Sequence, residues 1–378
     1  MDLTPSDEQR LLRESADRFV AETYTADHRR RMANEPLGFS AAIWQQFADL
    51  GWLALPIAEA HGGLGGGAVE TGLLMEAFGR GLVSEPYLST VVIGASLIGE
   101  CGSEAQKRML LPKIADGSLY LAFAHSERQA RFDLADVTAT ARKTPDGWQL
   151  DGHKTAVLDG NAAGQIIVSA RVADGGKLCL FLVPANTPGV TSRDFPRLGG
   201  GRACTLDLRD VRLPADALLG DGSDALPAIE SVVDRAMAAL GAEAVGIMQT
   251  LLDQTLEYTK IRKQFGRPLS ANQVIRHRLA DMAMQCDEAR SMALRAALMA
   301  DAEPVTRGRA ASGAKAKIGK CARYVAEQSV QLHGAMGVTE ELDIGSYFKR
   351  LLAFDTLFGG SAHHYRRYAA LGGRAIQA

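Results

Sequence analysis

RKQFGRPLSANQVIRHR, residues 262–278, is followed further along the chain by QLHGAMGVTEE at 331–341. Each is a glycine-bearing break at the edge of a helix. Apolar residues recurring at three and four positions predict helices over 226–261, 271–301, 307–334 and 342–357. The two breaks therefore punctuate a C-terminal half built from long helices.

Upstream the pattern changes twice. From 1 to about 117 it is again helical. Thr4 is a candidate N-cap with Pro5 at the first helical position, and Leu11, Leu12, Ala16, Phe19 and Val20 share one face. Further helices are expected through Ala41–Leu50, Val69–Gly79, Pro86–Glu100 and Glu104–Ile114. From about 118 to 220 the period drops to two. GWQLDG, QIIVSARV, KLCLFLVP and CTLDLRDVRLP are separated by Gly, Pro, Asp and Asn, which is strand-and-turn punctuation. The class is α+β, in separate layers rather than βαβ alternation. The expected domains are an N-terminal α-helical domain (1–117), a middle β-domain (118–223) and a C-terminal four-helix bundle (224–378).

A chain of 378 residues with 47% hydrophobic side chains can bury more than one core. Its net charge of −2 argues against nucleic-acid or membrane-surface partners, and the runs HRRR (28–31) and YRRY (365–368) read as solvated helix faces. Cys101, Cys179, Cys204, Cys286 and Cys321 are never spaced as CxxC, so no metal site and no disulfide framework is expected. No signal core and no membrane-inserting stretch is seen, and a cytoplasmic location is expected. HGGLGGG (61–67) invites a phosphate-loop reading, but no strand precedes it, and a turn between helices is the expectation.

Taken in order, these segments resemble the acyl-CoA dehydrogenase family. Residues 102–118 look like the approach to its β-domain, TPDGWQLDGHKTAVLDG (144–160) like its paired strands, and FLVPANTPGV (181–190) like its central strand. LDLRDVRLPADALLG (206–220) looks like the exit from its sheet. The resemblance implies FAD as cofactor, an acyl-CoA substrate and α,β-desaturation of the thioester. Arg262, Gln264 and Phe265 match the RKxFG motif, and Gln331, Leu332, Gly334 and Ala335 the QxxGG turn. In the family both serve the flavin of a neighbouring subunit. The resemblance also implies flavin contacts at Phe123, His125 and Ser126. A homo-oligomer (dimer or tetramer) is implied, or a hetero-oligomer with a second subunit of the family.

The chain departs from the family at one flavin face. TEPGAGSD has become SERQARFD (126–133), with Gln129, Arg131 and Phe132 replacing small residues, and WxTN has become Ala156, Val157, Leu158 and Asp159. Desaturation needs a carboxylate whose pKa a dry pocket raises. The family's usual glutamate position aligns with Phe358. His363 and His364 lie just beyond it, where an exposed helix start is expected. The other candidates for the base are Asp234, before Arg235, and Glu243, which shares a face with Ala236 and Leu240. Asp234, Arg235 and Leu240 are candidate substrate contacts. A buried pair with an arginine of a neighbouring helix is the structural alternative for Glu243. Two functional readings follow: a desaturase in its own right, or a non-catalytic subunit completing a partner's FAD site.

Overall fold

The computed structural model describes residues 4–173, 176–339 and 341–373. The N-terminal layer holds α1 (Asp7–Thr23), α2 (Ala26–Asn34), α3 (Ala41–Asp49), α4 (Ala68–Gly81), α5 (Ser96–Cys101) and α6 (Glu104–Ala115). Ser6, not Thr4, caps α1. Ser6 Oγ accepts from the Gln9 N–H while the Gln9 side chain accepts from the Ser6 N–H, and only Ser6 has that glutamine three residues on. Between α4 and α5, Tyr87–Ala95 winds as a π-helix, a rare geometry that gathers at functional sites.

The glycines of 61–67 serve packing. A Cβ on Gly63 would lie 1.9 Å from the Ile57 carbonyl oxygen, and one on Gly66 2.8 Å from Leu55 Cδ1. The N–H groups of Gly63, Gly65 and Gly66 donate to the carbonyls of Ala58, Ile57 and Leu55, and that of Gly67 to Glu70. These amides are already committed, so the segment is a closed turn and not an anion cradle.

The middle layer is one seven-stranded sheet: β1 (Leu121–Ala124), β2 (Thr140–Thr144), β3 (Gly147–Leu158), β4 (Gln165–Val172), β5 (Leu178–Pro184), β6 (Val190–Pro196) and β7 (Arg202–Pro214). The order is β1-β4-β2-β3-β7-β6, with β5 antiparallel to β4. β5 is buried along all but its last residue, in keeping with its continuous apolar sequence, and β4 is buried over its central five residues.

The C-terminal layer holds α7 (Leu226–Ile261), α8 (Gln273–Leu298), α9 (Pro304–His333) and α10 (Ile344–Thr356), the four expected helices, followed by α11 (Ser361–Leu371). Lys263–Gln264 (β8) and Arg267–Pro268 (β9) form a small hairpin after α7. One apolar core joins the N-terminal helices to the sheet and the start of α7; a second fills the bundle. Among the described residues, no helix is long and apolar enough to cross a membrane, and no cluster of side chains could hold a metal ion.

Candidate active site

A cavity of about 570 Å³ opens where the sheet, the π-helix, α7 and the turn before α11 converge. The end of β1 supplies Phe123, stacked on His125 with ring centroids 5.2 Å apart. Loop 126–134 forms one lip, with Arg131 in a left-handed backbone (φ 51°) and Phe132 leaning 5.4 Å from the His363 ring of α11. Ala156 (φ 50°) and Leu158 come from the end of β3, Ser89 and Ile93 from the π-helix, and Val233 and Met237 from α7.

Beneath the loop lies a polar anchor. Lys154, fully buried on β3, donates to Glu127 Oε1 (2.7 Å), the His125 carbonyl (3.2 Å) and Ser169 Oγ (3.1 Å). Glu127 also accepts from the N–H groups of Thr138 and Ala139. Burial pushes the Glu127 carboxyl up, but Lys154 and Thr138 more than offset it and hold it at about 2. Burial, with Lys154 adding to it, draws His125 down to about 4, so its ring is neutral at pH 7. The root of the loop is thus tied down, and Glu127 is an ionised strut at pH 7.

The opposite wall is the turn at 357–360. Phe358 sits in a left-handed backbone (φ 55°) and lines the cavity. His364 is buried, contrary to the expectation of an exposed helix start, because the first turn of α11 packs inward onto α9.

Neither candidate base lines this cavity. Glu243 is buried beside Arg350 of α10, with Arg350 Nε 2.8 Å and Nη2 2.6 Å from Glu243 Oε1. It borders a separate cavity of about 30 Å³ with Leu240, Asp159 and Arg197, and Leu158 stands in the wall of both cavities. Asp234 is buried between Arg367 (2.6 Å) and Arg307 (3.3 Å). Arg235 points the other way, to Glu100 and Asp301, at the rim of a third hollow.

The remaining sequence-derived residues gather at the far end of the bundle. Arg262, Gln264 and Phe265 are exposed on the β8–β9 hairpin, and Phe265 is 100% exposed with φ 53°. Gln331, Gly334 and Ala335 are exposed at the end of α9, whereas Leu332 is buried in the bundle core and offers no side chain to a ligand. Tyr258 stacks on His333 at 4.3 Å, which brings the two motifs together.

Sequence reading missed Lys154, Glu127, Ser312, Lys315 and Arg367. Two of them left a signal: Lys154 in a strand, and Lys315 within the small-residue run AASGAKAKIGK, each a cation among positions bound for the core.

Family models for the acyl-CoA dehydrogenase N-terminal, middle and C-terminal domains match residues 6–118, 122–211 and 226–370. The chain belongs to the acyl-CoA dehydrogenase family. Members are flavin-dependent oxidoreductases acting on acyl-CoA, with FAD as cofactor. This acyl-CoA dehydrogenase is 32% identical to the probable acyl-CoA dehydrogenase YngJ of Bacillus subtilis, over 89% of this chain and 90% of that one. Among solved structures it is similar to a Tcur3481-Tcur3483 steroid ACAD variant, with a TM-score of 0.87 and 31% identity over 97% of this chain and 98% of that one. It is also similar to the ChsE4-ChsE5 complex from Mycobacterium tuberculosis, with a TM-score of 0.88 and 26% identity over the full length of both chains.

Proposed function

We propose that this acyl-CoA dehydrogenase chain works in an assembly with a second chain of the family. In this reading it holds acyl-CoA in its own cavity and lends Arg262, Gln264, Phe265 and the 331–335 turn to FAD bound by its neighbour. One observation carries the reading. Val233 lines the cavity and Arg262 ends the same helix, 262 − 233 = 29 residues on, roughly 43 Å at about 1.5 Å per residue. A side chain cannot bridge that span, so the hairpin serves another chain.

The residues at that end suit FAD. A guanidinium is a planar fork of donors matched to a diphosphate. Phe265, with its whole ring in water, becomes buried only when a neighbour docks. When bound in the neighbour's site, FAD would accept the hydride from the β-carbon of an acyl-CoA held in that same site.

Arg131, Phe132 and Leu158 stand in the lining of the chain's own cavity where the family resemblance leads one to expect smaller residues, which supports a weakened flavin site here. Its carboxylates suit proton abstraction no better. Glu127 is held ionised by Lys154, and Asp133 and Glu230 are exposed at the mouth. Glu243 and Asp234 then act as structural anchors for arginines. Likeness to a steroid enzyme and to a complex of two named chains supports a fatty or steroid side-chain acyl group and a heteromeric partner. Flavin content of the chain alone, compared with the chain assembled with a flavin-binding relative, tests this reading.

A further inference from the structure

We infer that the acyl preference of the large cavity is set by a hydrogen-bond relay that starts behind its wall at Asp234 and Ser312, passes through Arg367 and His364 of the lining, and ends on the Phe358 carbonyl. The inference rests on the proposal that this cavity takes acyl-CoA. Arg367 Nη1 donates to Asp234 Oδ1 (2.6 Å) and to Ser312 Oγ (3.0 Å). Ser312 Oγ lies 3.3 Å from His364 Nδ1, and His364 Nε2 lies 2.9 Å from the Phe358 carbonyl oxygen.

The donors and acceptors admit one arrangement. A carbonyl only accepts, so His364 Nε2 carries the proton. In the neutral ring Nδ1 is then an acceptor, which leaves the Ser312 hydroxyl to donate to it. Burial, with Lys315 adding to it, draws His364 down to about 3, in keeping with a neutral ring. Removing Ser312 leaves the buried His364 Nδ1 without its donor, and removing His364 takes the donor from the Phe358 carbonyl.

A second tie meets the same turn. Lys315 is buried on α9, and its Nζ donates to the carbonyls of Phe354 (2.7 Å) and Gly359 (3.0 Å). Between the two ties Phe358 keeps φ 55°, a conformation costly for a bulky residue unless its surroundings impose it. What the ties hold is an apolar surface: Phe358 and Leu357 line the cavity together with Val233 and Met237. A wall that cannot relax discriminates between apolar acyl groups by length and shape; a loosened wall accepts them more evenly. Ser312 and Asp234 lie outside the cavity lining and act as positioning residues.

The test uses the full chain in its assembly and a ladder of saturated acyl-CoA thioesters from butanoyl-CoA to hexadecanoyl-CoA, with dissociation constants measured for each. His364→Gln keeps a donor near the Nε2 position, His364→Leu removes it, and Ser312→Ala breaks the middle of the relay. The ratio between the best and worst ligand should fall by about tenfold in Ser312→Ala and His364→Leu, and by no more than about threefold in His364→Gln. Should His364→Leu fail to fold, Ser312→Ala, which loses a single oxygen, carries the test. An unchanged ratio in Ser312→Ala, or equal flattening in His364→Gln and His364→Leu, overturns the inference. A wild-type chain that binds the ladder without preference overturns the inference alone. One that binds no acyl-CoA overturns the reading of the cavity as well.

Discussion

Arg350 of α10 sits over Glu243 of α7, its Nε and Nη2 both within 2.8 Å of the same carboxylate oxygen. The same guanidinium faces the carbonyls of Val83, Gly199 and Gly200 at 3.3–3.5 Å. One side chain thus ties the N-terminal helices, the sheet and the bundle together. A Cβ on Gly199 would stand 2.6 Å from Arg350 Cα, so the sheet hairpin approaches α10 as closely as glycine allows.

Breaking that pair from either side has different expected costs. Arg350→Ala leaves a buried carboxylate unpaired and should destabilise the fold by about 3–5 kcal/mol. Glu243→Gln removes the negative charge but keeps an acceptor for Arg350, and should cost less. Urea unfolding measures both. Glu243→Gln should also leave α-proton exchange of bound acyl-CoA in the assembly within a few-fold of wild type. A loss of about a hundredfold or more would instead make Glu243 the base.

Arg262→Ala should weaken flavin retention by the assembly by about 1.5–3 kcal/mol, the scale of a charge-assisted contact. The isolated chain should melt as before, because Arg262 is exposed on the hairpin. Equal flavin retention in wild type and variant would remove the argument for a shared cofactor site.

The pH dependence of stability has a definite sign. His364 is drawn down to about 3 and His125 to about 4, both below the ordinary value of 6.5. Below 6.5 the unfolded chain takes up protons that the folded chain refuses, so their contribution is whole above pH 6.5 and shrinks as pH falls. His364→Gln should therefore lose less stability than wild type between about pH 7 and pH 5. Glu127 begins to protonate in the unfolded chain only near its ordinary 4.5, so most of its effect lies at lower pH. Denaturant titrations at the two pH values decide it; identical drops would mean His364 titrates normally.

The fold was legible because its elements are long and their periods differ. α7 runs over Leu226–Ile261 as the apolar spacing predicts. The family motifs at 262–265 and 331–335 were equally readable, since each is a short local pattern. The site was harder. Glu243 looked like a desolvated base because an acid in AMAALGAEAVGIM has no local partner, and its partner Arg350 lies 107 residues away. The same separation hid the relay. Asp234, Ser312, His364 and Arg367 stand on three helices, and no spacing rule within one helix brings them together. Phe358 was visible as a missing carboxylate, but not the ties that hold its backbone.

The most direct measurement is flavin absorbance per chain, taken on this protein purified alone and again after assembly with a flavin-binding relative. If its hairpin completes a neighbour's FAD site while Phe132, Arg131 and Leu158 crowd its own, the chain alone carries well under one FAD and the assembly regains flavin through Arg262. One firmly bound FAD for every chain in the protein purified alone would contradict the account.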